Sequence, residues 1–163
     1  MDLKDGSHLV DATTSLEGDK ILVLTTLGYG KISYAEDTDV IQEDGTTRHY
    51  DGYRRTSRGA KGVLSLKENS KNGELTGMRS IHGDEDIMVI TNKGIVIRTP
   101  LSQVHIAGRN TVGVKIINLD PKNKVASFAI VPHQDEEETI ETEAAENEQP
   151  AEPINNPTPD QVE

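Results

Sequence analysis

Four cations and two glycines crowd into the nine residues Arg54-Arg55-Thr56-Ser57-Arg58-Gly59-Ala60-Lys61-Gly62. Guanidinium and ammonium groups are charge-assisted donors to anionic oxygens, phosphate above all. Glycine lets the backbone between them take positive φ or press close to another surface. A second turn, Gly108-Arg109-Asn110-Thr111-Val112-Gly113-Val114, answers the first, with Arg58, Gly62 and Val63 matched by Arg109, Gly113 and Val114, each 51 residues on. Lys31 and Arg98 fall at hairpin ends in the same pattern. The candidate anion-binding set is therefore Lys31, Arg54, Arg55, Arg58, Lys61, Arg98 and Arg109. Contacts of this type position a polyanion without reading its sequence. The alternative is that these are solvated charges or structural pairs; Arg109, beside Asn110 and Thr111, also suits bracing a turn.

Other chemistries find little support. Arg-Gly-Ala-Lys-Gly is not a phosphate-binding P-loop, because no Ser or Thr follows a Gly-Lys pair and no helical pattern begins there. Absence of cysteine removes disulfides and thiolate metal sites. Asp84-Glu85-Asp86 lacks the ligand spacing of a calcium loop and reads as a polar turn before a strand. The five histidines (8, 49, 82, 105 and 133) show neither ligand spacing nor a partnered nucleophile. No catalytic or metal site is expected, and the chain is not an enzyme by itself.

The elements that must present these cations are short strands. Ile21-Leu22-Val23-Leu24-Thr25 is an apolar run of strand length, followed by a turn at Thr26-Leu27-Gly28 and a return strand from Tyr29 to Ser33. Ile87-Met88-Val89-Ile90-Thr91, Asn92-Lys93-Gly94 and Ile95 to Arg98 repeat that order. Leu9 to Leu75, Ile21 to Ile87 and Gly28 to Gly94 all share one displacement of 66 residues. The glycines at 28, 62, 94 and 113 mark tight turns and close approaches. A turn leading into a strand is expected at Asp5 to Ala12, and a third unit starts at Lys124 to Val131. The first unit is longer by 15 residues between its hairpin and its basic turn, where the polar and acidic excursion Tyr34 to Tyr50 reads as a solvent loop or small hairpin on a rim.

Self-similarity on this scale marks propellers and related arrays. The expected fold is all-β, with about two complete repeats of four short strands. Residues 1–19 would end a preceding blade, 20–72 form one repeat with the insertion 34–50, and 73–133 form the next with a closing strand. Two units and a fraction are too few to close a ring and would leave strand edges open, so the chain is expected to be the C-terminal piece of a longer polypeptide.

The formal net charge of −11 is unevenly placed. Residues 134–163 hold 11 of the 28 acids and none of the 17 bases, which leaves 17 acids against 17 bases in residues 1–133. The low isoelectric point therefore does not exclude a nucleic-acid partner. Glu-rich sequence followed by Pro150, Pro153, Pro157 and Pro159 cannot bury enough surface to fold and should be disordered. As a tether it would either compete with phosphates for the rim cations or serve only solubility. No long apolar run or signal-peptide pattern is present, which suits a cytoplasmic protein without a membrane partner.

The ordered set Ile-Leu-Val-Leu-Thr-x-x-Gly-Tyr-Gly-Lys, Arg-Gly-x-Lys-Gly-Val, Ile-x-Val-Ile-Thr-x-x-Gly-x-x-Ile-Arg and Gly-Arg-Asn-Thr-x-Gly-Val resembles the C-terminal domain of the DNA gyrase A subunit. The resemblance covers roughly residues 5 to 131. It implies a β-pinwheel, a propeller-like disc whose basic rim binds and wraps double-stranded DNA. It further implies partnership with the rest of the gyrase A protein and with the gyrase B protein in a bacterial, nucleoid-associated topoisomerase, an isomerase that introduces negative supercoils. ATP and Mg would be used by other parts of that enzyme, with no cofactor in this chain. Thr56-Ser57-Arg58-Gly59-Ala60-Lys61-Gly62 keeps only Arg58, Gly59, Lys61 and Gly62 of the family's Gln-Arg-Arg-Gly-Gly-Lys-Gly box, as a later blade would. The equivalent domain of topoisomerase IV, and a propeller scaffold for protein contacts, are the alternative readings.

Overall fold

A computed structural model describes residues 3 and 5–134; all but the first residue of the segment 134–163, expected to be a disordered acidic tail, lies outside the described residues. Nine strands occur among them: β1 (Lys20–Thr25), β2 (Tyr29–Tyr34), β3 (Thr38–Ile41), β4 (Thr47–Tyr50), β5 (Leu75–Ile81), β6 (Asp86–Thr91), β7 (Val96–Pro100), β8 (Val114–Lys115) and β9 (Val125–Val131). The one helical feature among the described residues is the 3-10 turn Leu101–Gln103. No helix there is long and apolar enough to cross a membrane. The fold is all-β, as the alternating and branched apolar runs predict.

The two apolar runs become the inner strands. β1 pairs antiparallel with β2, from Lys20 opposite Tyr34 to Leu24 opposite Gly30, and β6 pairs with β7, from Asp86 opposite Pro100 to Ile90 opposite Val96. Each hairpin closes the same way: Gly28 N–H donates to Thr25 O at 3.1 Å and Gly94 N–H to Thr91 O at 3.0 Å. β5 lies along the far side of β1 and β9 along the far side of β6, both antiparallel, with register shifts at the matching steps Leu24/Thr25 and Ile90/Thr91. The repeat read from the sequence thus extends to the position of a bulge.

The sheets cut across the linear repeats. One has the order β5-β1-β2-β8 and another β7-β6-β9, so the first hairpin takes both flanking strands from the following unit. The physical reason is that a lone hairpin is marginal in water and a sheet gains stability when its edges are paired. The insertion 34–50 is a hairpin of its own, β3 against β4, from Thr38 opposite Tyr50 to Ile41 opposite Thr47. Tyr34 and Tyr50 lock it to the end of β2 through an edge-to-face contact with ring centroids 5.3 Å apart.

The expected strand near residues 5–12 does not form. Instead the Asp11 carboxylate accepts the Met78 N–H at 3.1 Å, and the Thr13 hydroxyl oxygen accepts the Ser80 N–H at 3.1 Å. Short Asp and Thr side chains reach backbone donors in competition with a ladder, and here they satisfy alternate donors along the outer edge of β5. A bare strand edge is an aggregation template, so this segment blunts it without pairing.

Apolar side chains from both hairpins, including Leu22, Leu24, Ile32, Ile87 and Val89, meet Phe128 of β9 in one buried cluster. A smaller cluster on the other face of β1 joins Ile21, Val23, Ala35 and Leu66. β1 is therefore covered on both faces, and the second cover is delivered by Leu66, from the segment that follows the four-cation run.

Candidate nucleic-acid interface

The outer edge of β2 is the platform on which the Arg109 turn is assembled. Gly30 pairs with Val114 and Tyr29 with Lys115. Gly28 O accepts the N–H groups of Ile116 and Ile117 at 2.9 and 3.2 Å, and Ile32 O accepts the Ala107 N–H at 2.8 Å. The Arg109 turn is thereby stitched to β2 at both of its ends.

Lys31 departs from the sequence expectation. It is fully buried rather than on a rim, at 0% exposure. Its ammonium donates to Gly108 O at 2.7 Å, to the Thr111 hydroxyl at 3.2 Å and to Arg109 O. Burial, with a further push from the Arg109 guanidinium, brings its pKa down to about 8. Lysine is among the residue types least often buried, which is why a rim position is the natural expectation. The acceptors that compensate it come from a turn 77 to 80 residues away.

Residues 51–74 contain no strand until the tip of β5 approaches, yet both ends of this excursion are pinned. At its start, the Tyr53 N–H donates to Ala35 O at 2.8 Å. The Arg109 Nε donates to Asp51 O at 3.3 Å, and its guanidinium lies 5.8 Å from the Tyr53 ring centroid. At its end, the Lys67 N–H donates to Thr111 O at 2.9 Å. The buried Asn72 amide donates to Lys67 O at 3.0 Å and to Val112 O at 3.1 Å. The Arg109 turn thus holds, at both ends, the excursion that carries the first basic turn.

Arg54, Arg55, Arg58 and Lys61 project from that excursion, all exposed and with no carboxylate partner among the described residues. Arg109 is half-buried, held by a backbone carbonyl and an aromatic face. Lys67, Lys71 and Lys115 are exposed on the same two segments and lie outside the set that the motifs predict. The usable signal is the position of Lys67 after Leu66 and of Lys115 after the Gly113-Val114 pair.

Arg98 is placed elsewhere. Its Nε donates to the Asp86 carboxylate at 2.6 Å and its Nη2 to Pro132 O at 2.7 Å. The other Asp86 oxygen meets the His133 ring at 2.6 Å. Asp86 is only 3% exposed. Burial alone would raise its carboxyl, but the hydrogen bonds and charges of His133 and Arg98 outweigh that and hold it below the ordinary 3.8. Arg98 thus stands in a structural ion pair that ties the end of β9 to β6.

A depressed carboxyl contributes stability above its unfolded value and loses it as pH falls through the folded value. Stability is therefore expected to drop as pH is lowered from near 4. Asp86→Asn should cost about 1–3 kcal/mol at neutral pH, below the figure for a fully buried pair because Arg98 keeps some water contact. The same substitution should flatten that acid limb in urea titrations; parallel limbs in the two proteins would show that another group is responsible.

The acidic insertion borders the basic edge. His49 sits 2.7 Å from Asp39 and 3.8 Å from Asp51, and its pKa is raised, chiefly by the hydrogen bond to Asp39. Since Asp51 O also receives Arg109, an anion approaching the cations meets negative charge on the β3–β4 side.

A family model described as DNA gyrase C-terminal domain, beta-propeller, matches residues 51–82 and 85–132. The DNA gyrase A subunit of Ureaplasma parvum serovar 3 is 35% identical over 130 residues, covering 80% of this chain and 14% of that protein. Its counterpart in Metamycoplasma arthritidis is 39% identical over 117 residues, 72% of this chain and 11% of that protein. The chain thus spans only 11–14% of the length of these relatives. A solved structure of the DNA gyrase A C-terminal domain shares the fold, with a TM-score of 0.56 at 20% identity over 72% of this chain and 35% of that one.

Proposed function

The chain belongs to the DNA gyrase C-terminal domain family, and from that premise we propose that its basic edge binds double-stranded DNA through the phosphates, independently of sequence, and holds it curved. The observation that supports the reading is the attachment of the excursion carrying Arg54, Arg55, Arg58 and Lys61, at both of its ends, to the Arg109 turn, with no carboxylate paired to these cations among the described residues. Lys31 and Arg98 are left out of the contacting set, one because it is buried and the other because Asp86 holds it.

Smoothly bending a duplex costs on the order of 1–6 kcal/mol per 20–30 base pairs. Many weak phosphate contacts distributed along an edge suit that demand better than one strong site. In the wider assembly, the wrapped segment would be presented by the gyrase A protein, together with the gyrase B protein, for ATP- and Mg-dependent strand passage that introduces negative supercoils in the bacterial cytoplasm.

The test is fluorescence anisotropy with duplexes of about 40 base pairs in two unrelated sequences, across a fourfold range of salt. Five phosphate contacts predict a slope of roughly −4.5 log units of affinity per log unit of salt, or a loss of roughly 500-fold over that range. Both sequences should bind alike. Binding that ignored salt, or that followed one sequence, would overturn the proposal.

A further inference from the structure

We propose that Lys31 is a positioning residue for this edge: buried beneath it, the ammonium sets the Gly108–Thr111 turn and, through that turn, both ends of the excursion that carries the four-cation run. The inference rests on the reading of the edge as a DNA-binding surface.

Three acceptors on one turn converge on a single ammonium: two successive backbone carbonyls, Gly108 O and Arg109 O, and the Thr111 hydroxyl. The Thr111 hydroxyl also donates to Gly108 O at 3.0 Å, which closes the turn on itself. From there the connections run outward. Thr111 O receives the Lys67 N–H, which fixes where the excursion returns. Arg109, its own carbonyl held by Lys31, reaches Asp51 and Tyr53, which fixes where the excursion leaves. Arg54, Arg55, Arg58 and Lys61 all lie between those two anchors.

The second hairpin lacks the device. Residue 97, displaced by 66 from Lys31, is an isoleucine, and among the described residues no strand pairs with the open side of β7. A lysine with no carboxylate beside it is a costly group to bury, so its retention needs a return beyond packing. Here that return is a fixed backbone for the anion-binding turn and a positive charge directly beneath it. The charged group facing Lys31 is the Arg109 guanidinium, so loss of the Lys31 proton relaxes a like-charge contact and removes one donor from three acceptors.

The salt slope separates positioning from contact. A residue touching one phosphate changes the slope by roughly 0.9, and a residue that merely fills space leaves it unchanged. In the full chain, folded Lys31→Met should reduce the slope by the equivalent of two or more phosphates, although Lys31 reaches none. Thr111→Val, which removes no charge, should stay folded and still lower the slope. Wild-type affinity should decline from pH 7 to 9, where the arginines stay charged, and that of Lys31→Met should not.

An unchanged slope in both variants overturns the proposal. So does a loss of one contact in Lys31→Met with none in Thr111→Val, which would make Lys31 a direct phosphate ligand. If Lys31→Met does not fold, Thr111→Val decides alone. If wild type fails to bind DNA, the function proposed above fails. Amide exchange at Lys67 then still decides the positioning role: faster exchange in Thr111→Val supports it and unchanged protection refutes it.

Discussion

Replacing Arg54, Arg55, Arg58 and Lys61 together by alanine should make DNA binding nearly insensitive to salt. Each phosphate neutralised contributes roughly 0.9 to the slope, so four lost contacts remove roughly 3.6 log units per log unit of salt. Over a fourfold rise in salt the wild type should lose roughly 500-fold in affinity and the variant only about 3-fold. The same change should leave stability almost untouched, because all four side chains are exposed and free of ion pairs among the described residues. Surface substitutions of that type usually stay within about 0.5 kcal/mol each.

Arg98→Ala supplies the converse control. It removes one partner of a buried carboxylate, so it should lower the melting temperature while leaving the salt slope in place. Affinity titrated at several salt concentrations, beside thermal melts, checks both. A fourfold variant that keeps its slope would mean that these cations are ordinary surface charge, and the scaffold reading would then be the better one.

The second large effect concerns two glycines that occupy the same motif position. Gly62 and Gly113 both adopt the left-handed region, with φ of 80° and 76°. A side chain at either pays a conformational cost of about 1–2 kcal/mol. Their surroundings differ sharply. A Cβ at Gly62 would meet nothing within 4 Å, whereas one at Gly113 would lie 2.5 Å from Gly30 O and 2.9 Å from Gly30 C. Backbone on β2 cannot swing aside as a flexible side chain does, so the β2–β8 pairing must open.

Gly113→Ala should therefore cost about 2–5 kcal/mol, the conformational penalty plus that of overpacking, against about 1–2 kcal/mol for Gly62→Ala. Urea denaturation of the two variants measures the difference. Because β8 also anchors the Arg109 turn, Gly113→Ala should weaken DNA binding beyond its effect on stability. Equal costs at the two positions would show that close approach to Gly30 does not hold the strands together.

Much of the fold was legible because local rules carry it. Ile21–Leu24 and Ile87–Ile90 are branched apolar runs closed by glycine turns, and their common displacement predicts equivalent hairpins. The insertion was readable as an interruption of that displacement. Pairing across the hairpins was less accessible. β5 and β8 flank the hairpin of the preceding unit, a nonlocal choice made by which open edge is available, and no local pattern encodes it. The segment at 5–12 shows the same limit: its residues permit a strand, but Asp11, with Thr13 just beyond it, reaches the β5 donors through its side chain instead.

The cations divide along the same line. Residue types and spacing determined by themselves that the chain carries repeated β-hairpins, two related basic turns and an uneven distribution of acids, since these follow from periodicity, charge and backbone freedom. Tertiary structure alone decided which cations face solvent. Lys31 could be buried because three acceptors from a distant turn replace its water, and Arg98 could be held because Asp86 waits on the neighbouring strand. Arg54, Arg55, Arg58 and Lys61 stay exposed because only the ends of their loop are tied down. Desolvating a charge requires partners brought together by the fold, and partners separated by up to 80 residues leave no trace in local sequence.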